Sequence, residues 1–110
     1  MRLVFMGSPE SALGPLRTLL ADGPSAGHQL VAVVSQPARP VGRKGDAVDP
    51  PVAQFAKAAG LKTMQPERAG APEFLATLRD LKPDVIITAA YGQILTDDFL
   101  AIPHRATINV

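Results

Sequence analysis

The sequence predicts an α/β fold, a Rossmann-like parallel sheet with flanking helices. Three observations carry this. The runs RLVFM (2–6), QLVAVVS (29–35) and VIITAA (85–90) are nearly continuous in apolar residues, as strands buried on both faces are. Between them lie segments whose apolar residues recur at helical spacing. The joins are short and marked by Gly, Pro and Asp, so each strand is carried back in parallel by a crossover that is right-handed as a rule.

Taken in order, RLVFM runs into Gly-Ser-Pro and ends near Met6 as a first strand. From Ser8 or Ser11 to about Ala21, leucines 13, 16, 19 and 20 mark a first helix, with a kink expected at Gly14-Pro15 and a stop at Asp22-Gly23-Pro24. QLVAVVS is the second strand. PVAQFAKAAG then places apolar residues at 52, 55, 56 and 59 and ends at Gly60, a helix with a glycine cap. LKTM is a short strand, and EFLATLRDL an amphipathic helix with Phe74, Leu75, Leu78 and Leu81 on one side. VIITAA, a turn at Tyr91-Gly92, a short helix around 96–101 and a last strand ATINV complete the series.

Composition narrows the class. With 110 residues, 46% hydrophobic and 19% charged, the chain suits one globular domain with a real core. A net charge of +1 gives no global steering, so attraction to a polyanion has to come from local clustering. The absence of cysteine excludes disulfides and thiolate chemistry and fits a reducing compartment. No segment approaches the roughly 20 apolar residues of a membrane span. MRLVFMGSPES is too briefly apolar for a signal sequence and reads as the first strand of a cytoplasmic protein.

In open sheets of this kind ligands bind beyond the carboxyl ends of the strands. That edge comprises Gly7 to Glu10, Ser35 onward, Tyr91 to Leu95, and the positions after Val110. Neither GxGxxG nor GxxxxGK[ST] occurs there or elsewhere. Ser8 reads either as a cap of the first helix or as part of a ligand-facing turn. His28 and His104 stand far apart and suit surface or packing roles, and no acid–base constellation or metal set is complete. Asn109, an amide in an apolar strand at the ligand edge, reads as a group bonded to neighbouring backbone or as a site residue. AAYGQIL (89–95) turns through a glycine, with Tyr91 and Gln93 able to face a ligand. The loop QPARPVGRKG (36–45) gathers Arg39, Arg43 and Lys44 without an acid, either a solvated charge run or a surface for a polyanion.

Together, MRLVFMGSPE, VVSQPARPVGRKG, PVAQFA, QPE, PDVIITAAYGQIL and the terminal INV resemble, in order and along essentially the whole chain, the methionyl-tRNA formyltransferase family. The resemblance implies transfer of a formyl group from 10-formyltetrahydrofolate to the methionine amine of initiator methionyl-tRNA, without a metal. It implies that Asn109 is catalytic, that Tyr91, Gly92, Gln93, Ile94 and Leu95 line the folate pocket, and that Arg39, Arg43 and Lys44 meet the tRNA. The family motif runs Asn, spacer, His, with an Asp further on; Asn109 and Val110 match its first two places. Residues 1–110 are therefore expected to be an incomplete N-terminal formyltransferase domain, inactive alone, lacking the rest of the catalytic domain and a C-terminal tRNA-binding domain. The full-length form is expected to be a monomer. Two departures stand out: family loops usually carry further lysines after the Gly-Arg, whereas Gly45, Asp46, Ala47, Val48 and Asp49 follow here, and Gly7-Ser8-Pro9-Glu10 replaces a GTPD-like turn. Two alternatives remain: a 10-formyltetrahydrofolate-dependent enzyme acting on a sugar nucleotide, and a non-enzymatic Rossmann-like module that binds nucleic acid through the basic loop.

Overall fold

The computed structural model describes residues 1–40 and 45–110. Five strands form one parallel sheet: β1 (Arg2–Gly7), β2 (Gln29–Val34), β5 (Thr63–Met64), β6 (Val85–Ala89) and β7 (Ala106–Asn109). Their spatial order is β5-β2-β1-β6-β7. The chain thus builds outward from β1 in one direction through β2 and β5, then returns to β1's other side and builds outward again through β6 and β7. The reversal falls between β1 and β6, the crevice at which such sheets bind ligands.

The continuous apolar runs are explained by what covers each face. On one side Val4, Met6, Ala32, Val34 and Ile86 pack against Phe74, Leu75 and Leu78 of α3 (Pro72–Asp80) and Phe99 of α4 (Asp97–Leu100). On the other, Phe5, Val33 and Ala89 pack against Leu16 of α1 (Leu13–Asp22) and Val52 and Ala56 of α2 (Pro51–Ala58). Alternate residues of each strand feed opposite cores, and both are sealed: Val4, Phe5, Met6, Leu16, Val33, Ile86 and Phe99 have no exposed surface. Burying a side chain of this size contributes roughly 1.5–3 kcal/mol, so the two cores rather than the helix ends hold the fold.

One local expectation is corrected. The first helix begins later than Ser8 or Ser11: a single 3-10 turn (Glu10–Ala12) precedes α1, which starts at Leu13, the first of the spaced leucines, and no side chain caps either. Pro15 falls in the first turn of α1, where its missing N–H has no intrahelical partner to lose. The segments on either side of residues 41–46 come together as a small antiparallel ribbon of β3 (Arg39–Pro40) and β4 (Ala47–Val48). Pro40 is tolerated because such a two-stranded ribbon has only edges. Gly60 behaves as expected: with φ +74 it follows α2, and the next residue, Leu61, donates its N–H back to the Ala56 carbonyl at 2.9 Å.

The tightest joint in the sheet is at the reversal. Gly7, the last residue of β1, pairs with Ala89, and a Cβ placed on it would stand 2.7 Å from the Ala89 carbonyl oxygen and 2.9 Å from the Ala12 Cβ. Because those neighbours are backbone and a fixed methyl, they cannot swing away. Gly7→Ala is expected to lower unfolding free energy by about 1–3 kcal/mol, the usual cost of overpacking. Denaturant unfolding checks this, and an unchanged midpoint would contradict the close approach.

Candidate functional site

The carboxyl ends of β1, β2 and β6 meet in a polar knot. Ser8, which directly follows Gly7, is buried and caps no helix. Its hydroxyl donates to the Tyr91 carbonyl at 3.2 Å and accepts the Gln36 backbone N–H at 3.0 Å, while its own carbonyl accepts from the Val52 N–H at 3.1 Å. One small residue therefore ties the ends of three strands to the start of α2. The cap reading of Ser8 fails for this reason: its oxygen is already committed across the sheet.

Three glutamines extend the knot. Gln36 Nε2 donates to the Tyr91 carbonyl at 3.2 Å, and Gln93 Nε2 donates to Gln36 Oε1 at 2.9 Å and to the Glu67 carbonyl at 3.1 Å. Gln93 Oε1 accepts the Ala69 N–H at 2.8 Å. Gln65 Nε2 reaches the Gln36 carbonyl at 3.2 Å and Asp49 Oδ1 at 2.9 Å. Asp49 Oδ2 in turn meets Lys57 Nζ at 2.8 Å. The hydrogen bond from Lys57, and after it that from Gln65, holds the Asp49 carboxyl below its usual range. Asp49, which the sequence marks only as a departure from a basic loop, is thus the anchor of that loop's second limb.

Beside the knot, between the 91–95 turn and the end of β7, lies a cavity of about 460 Å³. Tyr91, Gly92, Gln93, Leu95 and Asn109 border it, together with Thr88 and Thr107. Of the residues singled out from the sequence for catalysis and folate, Ile94 alone lies elsewhere, almost wholly exposed at 94% and bordering an adjoining hollow with Gln93. Asn109 is paired with Thr88 in register, and its Oδ1 accepts from Thr88 Oγ1 at 3.1 Å. That orientation leaves the amide hydrogens as the group available to donate. A larger recess, about 640 Å³ between Gln65 and Thr77, borders neither β1 nor β6.

Two atoms mark the cavity as polar in an unusual way. Among the described residues the Tyr91 hydroxyl and Thr107 Oγ1 are buried without a hydrogen-bond partner, and both residues line this cavity. Buried hydroxyls are ordinarily satisfied, so two orphans on residues that border one cavity set this region apart, although both oxygens are themselves closed off from solvent. Burial pushes the Tyr91 phenol up to about 12, which keeps it protonated and a donor at physiological pH. The turn itself is strained: Ala90 holds φ +51, a left-handed conformation costing about 1–2 kcal/mol for a non-glycine residue, and Gly92 holds φ +95.

Arg39 sits at the root of the ribbon, exposed, 3.5 Å from Glu67. An exposed pair of this kind contributes at most about 1 kcal/mol, so it leaves the guanidinium free to exchange partners. Arg43 and Lys44 lie outside the described residues. Among the described residues no group of three His, Asp or Glu gathers to hold a metal ion, and no helix is long and apolar enough to cross a membrane.

A doubly wound sheet with an amide-bearing strand end beside a cavity between the carboxyl ends of β6 and β7 defines an α/β domain of the kind whose ligand sites lie at the strand ends. The chain belongs to the formyl transferase family, whose model matches residues 1–110. Methionyl-tRNA formyltransferases are similar over all 110 residues: that of Ruminiclostridium cellulolyticum at 43% identity, and those of Dehalococcoides mccartyi and Roseiflexus castenholzii at 46%. The chain spans 34% of the length of these relatives. Among solved structures, glycinamide ribonucleotide transformylase 1 from Symbiobacterium toebii shares the fold, with a TM-score of 0.71 at 16% identity over 99% of this chain and 50% of that one.

The raised phenol gives a pH prediction. An unfolded tyrosine ionises near 10.0, whereas the folded Tyr91 resists to about 12, so its contribution to stability is whole below the first value and lost between the two. Tyr91→Phe is expected to flatten this alkaline loss while changing stability at neutral pH by less than about 1 kcal/mol, since the hydroxyl has no partner to lose. Unfolding free energies measured from neutral to strongly alkaline pH decide it, and an identical alkaline decline in both proteins would contradict the burial argument.

Proposed function

We propose that this chain is the N-terminal part of a cytoplasmic enzyme that moves a formyl group from 10-formyltetrahydrofolate to the amine of methionine on initiator tRNA. The observation that carries this reading is the single cavity shared by Asn109 and the 91–95 turn, in a chain similar throughout to proteins named for that reaction. The hollow's size lies within the range of small-molecule sites, roughly 300–1,000 Å³. Its apolar wall from Leu95 and Leu100, with Thr88, Thr107 and Asn109 at its polar side, suits a flat heteroaromatic ring with a polar edge.

The chemistry assigns work to particular groups. When an amine attacks a formyl carbon, the carbonyl π bond opens and negative charge grows on oxygen. As the carbonyl re-forms, the bond from that carbon to N10 of the folate breaks, N10 taking up a proton while the attacking amine gives one up. Asn109 donates an amide hydrogen to that oxygen, and Thr88, by holding Asn109 Oδ1, fixes which side of the amide faces it. Tyr91, Gly92 and Leu95 hold the folate ring, Gln93 holds the turn that carries them, Ile94 stands outside the cavity, and Arg39, Arg43 and Lys44 attract the tRNA backbone. By the family motif a His and an Asp complete the proton transfers, and Asn109 serves beside them as an oxyanion donor.

In the full-length enzyme, Asn109→Ala is expected to lower kcat by about 100-fold or more while KM for both substrates changes little. Unchanged turnover would sink the catalytic assignment. Arg43→Ala is expected to raise KM for tRNA more than KM for folate, and to make that KM less sensitive to salt. Equal effects on the two substrates would argue against a tRNA-facing loop.

A further inference from the structure

The glutamine knot joins two surfaces that the proposed reaction uses separately. Gln36 stands where the basic loop leaves β2, and every polar atom it has is engaged: the backbone N–H with Ser8, the carbonyl with Gln65, Nε2 with Tyr91, and Oε1 with Gln93. The turn presses against it closely enough that a Cβ on Gly92 would lie 3.1 Å from Gln36 Nε2. The far limb of the loop reaches the same residue through Asp49 and Gln65. Displacement of the loop root therefore cannot leave the turn in place without breaking these hydrogen bonds.

The direction of each bond is fixed from both ends. The Ala69 N–H can only donate, so Gln93 must present Oε1 to it and its NH₂ to Gln36 and Glu67. Gln36 must then present Oε1 to Gln93 and its NH₂ to the Tyr91 carbonyl, which can only accept. An amide is the one side chain of this length that both accepts and donates. Glutamate, equal in size, would set a carboxylate against a carbonyl.

We propose that Gln36 is a positioning residue that sets the 91–93 turn from the root of the basic loop, so that a polyanion held by the loop and a pterin held by the turn tighten each other's binding. This rests on the formyltransferase reading for the identity of the two ligands, though not for the positioning itself. Gln36 touches neither ligand; it acts through the Tyr91 carbonyl and the Gln93 amide.

The test uses the full-length enzyme with tetrahydrofolate and uncharged initiator tRNA as probes, so that no transfer occurs. Saturating tRNA is expected to tighten tetrahydrofolate binding at least about fivefold in the wild type, and that factor is expected to fall to near one in Gln36→Ala. Gln36→Glu is expected to behave like Gln36→Ala, which a space-filling role would not produce. Backbone hydrogen exchange of the peptide spanning residues 91–93 is expected to quicken about tenfold in both variants while β1 and β2 keep their protection. A wild-type coupling factor of one, or a factor retained in Gln36→Ala, would overturn the coupling, and unchanged exchange at the turn would overturn the positioning. If the wild type binds neither probe, the formyltransferase reading and the coupling fail together, and the exchange measurement still decides whether Gln36 sets the turn.

Discussion

The rest of the structure depends on the approach of β1 to β6 at their carboxyl ends. Gly7 lets the two backbones close to a distance that no Cβ would permit, and Ser8 uses that proximity to bond both the β6–α4 turn and the residue two places beyond β2. Because the chain reverses its direction of sheet-building here, helices leave on opposite faces and open a crevice that no helix covers. The site is a product of that geometry. A strained turn with Ala90 and Gly92 at positive φ persists because the knot of Ser8, Gln36 and Gln93 fixes the carbonyl and side chains around it.

Polar satisfaction is distributed unevenly across this region, and the unevenness separates scaffold from site. Ser8, Gln36, Gln65 and Gln93 spend their donors and acceptors on one another and on the backbone, so they build shape. Tyr91 and Thr107 leave buried oxygens unspent, and Asn109 commits only its carbonyl oxygen to Thr88. These three residues border one cavity. This division changes the reading of Gln93: placed among ligand-facing residues by resemblance, it has both ends of its amide engaged within the protein, so its contribution to a pocket is to hold the turn.

Much of this was legible in the sequence, for identifiable reasons. Nearly continuous apolar runs mark strands with a core on each side, and β1, β2 and β6 show just that alternation between two cores. Gly60 ends α2 where the pattern places it. Asn109 stood out as an amide in an apolar strand, and it borders the cavity with the turn at 91–95. What escaped was non-local. Ser8 looks like a helix cap because capping is read from the next few residues, whereas its partners are 28 and 83 positions away. The Gln36–Gln93 bond spans 57 positions, and nothing about an isolated glutamine marks it for such use. The ribbon of Arg39–Pro40 with Ala47–Val48 is two pairs long, too short to leave a pattern of alternation.

The central proposal is that the cavity between the 91–95 turn and the end of β7, rather than the recess between Gln65 and Thr77, receives the folate. Amide and methyl resonances tracked by NMR while tetrahydrofolate is added to the full-length enzyme test this directly. The account predicts shifts concentrated at Thr88, 91–95 and 107–109, with the recess between Gln65 and Thr77 undisturbed. Saturable shifts centred on that recess, with the turn and the end of β7 silent, would contradict it.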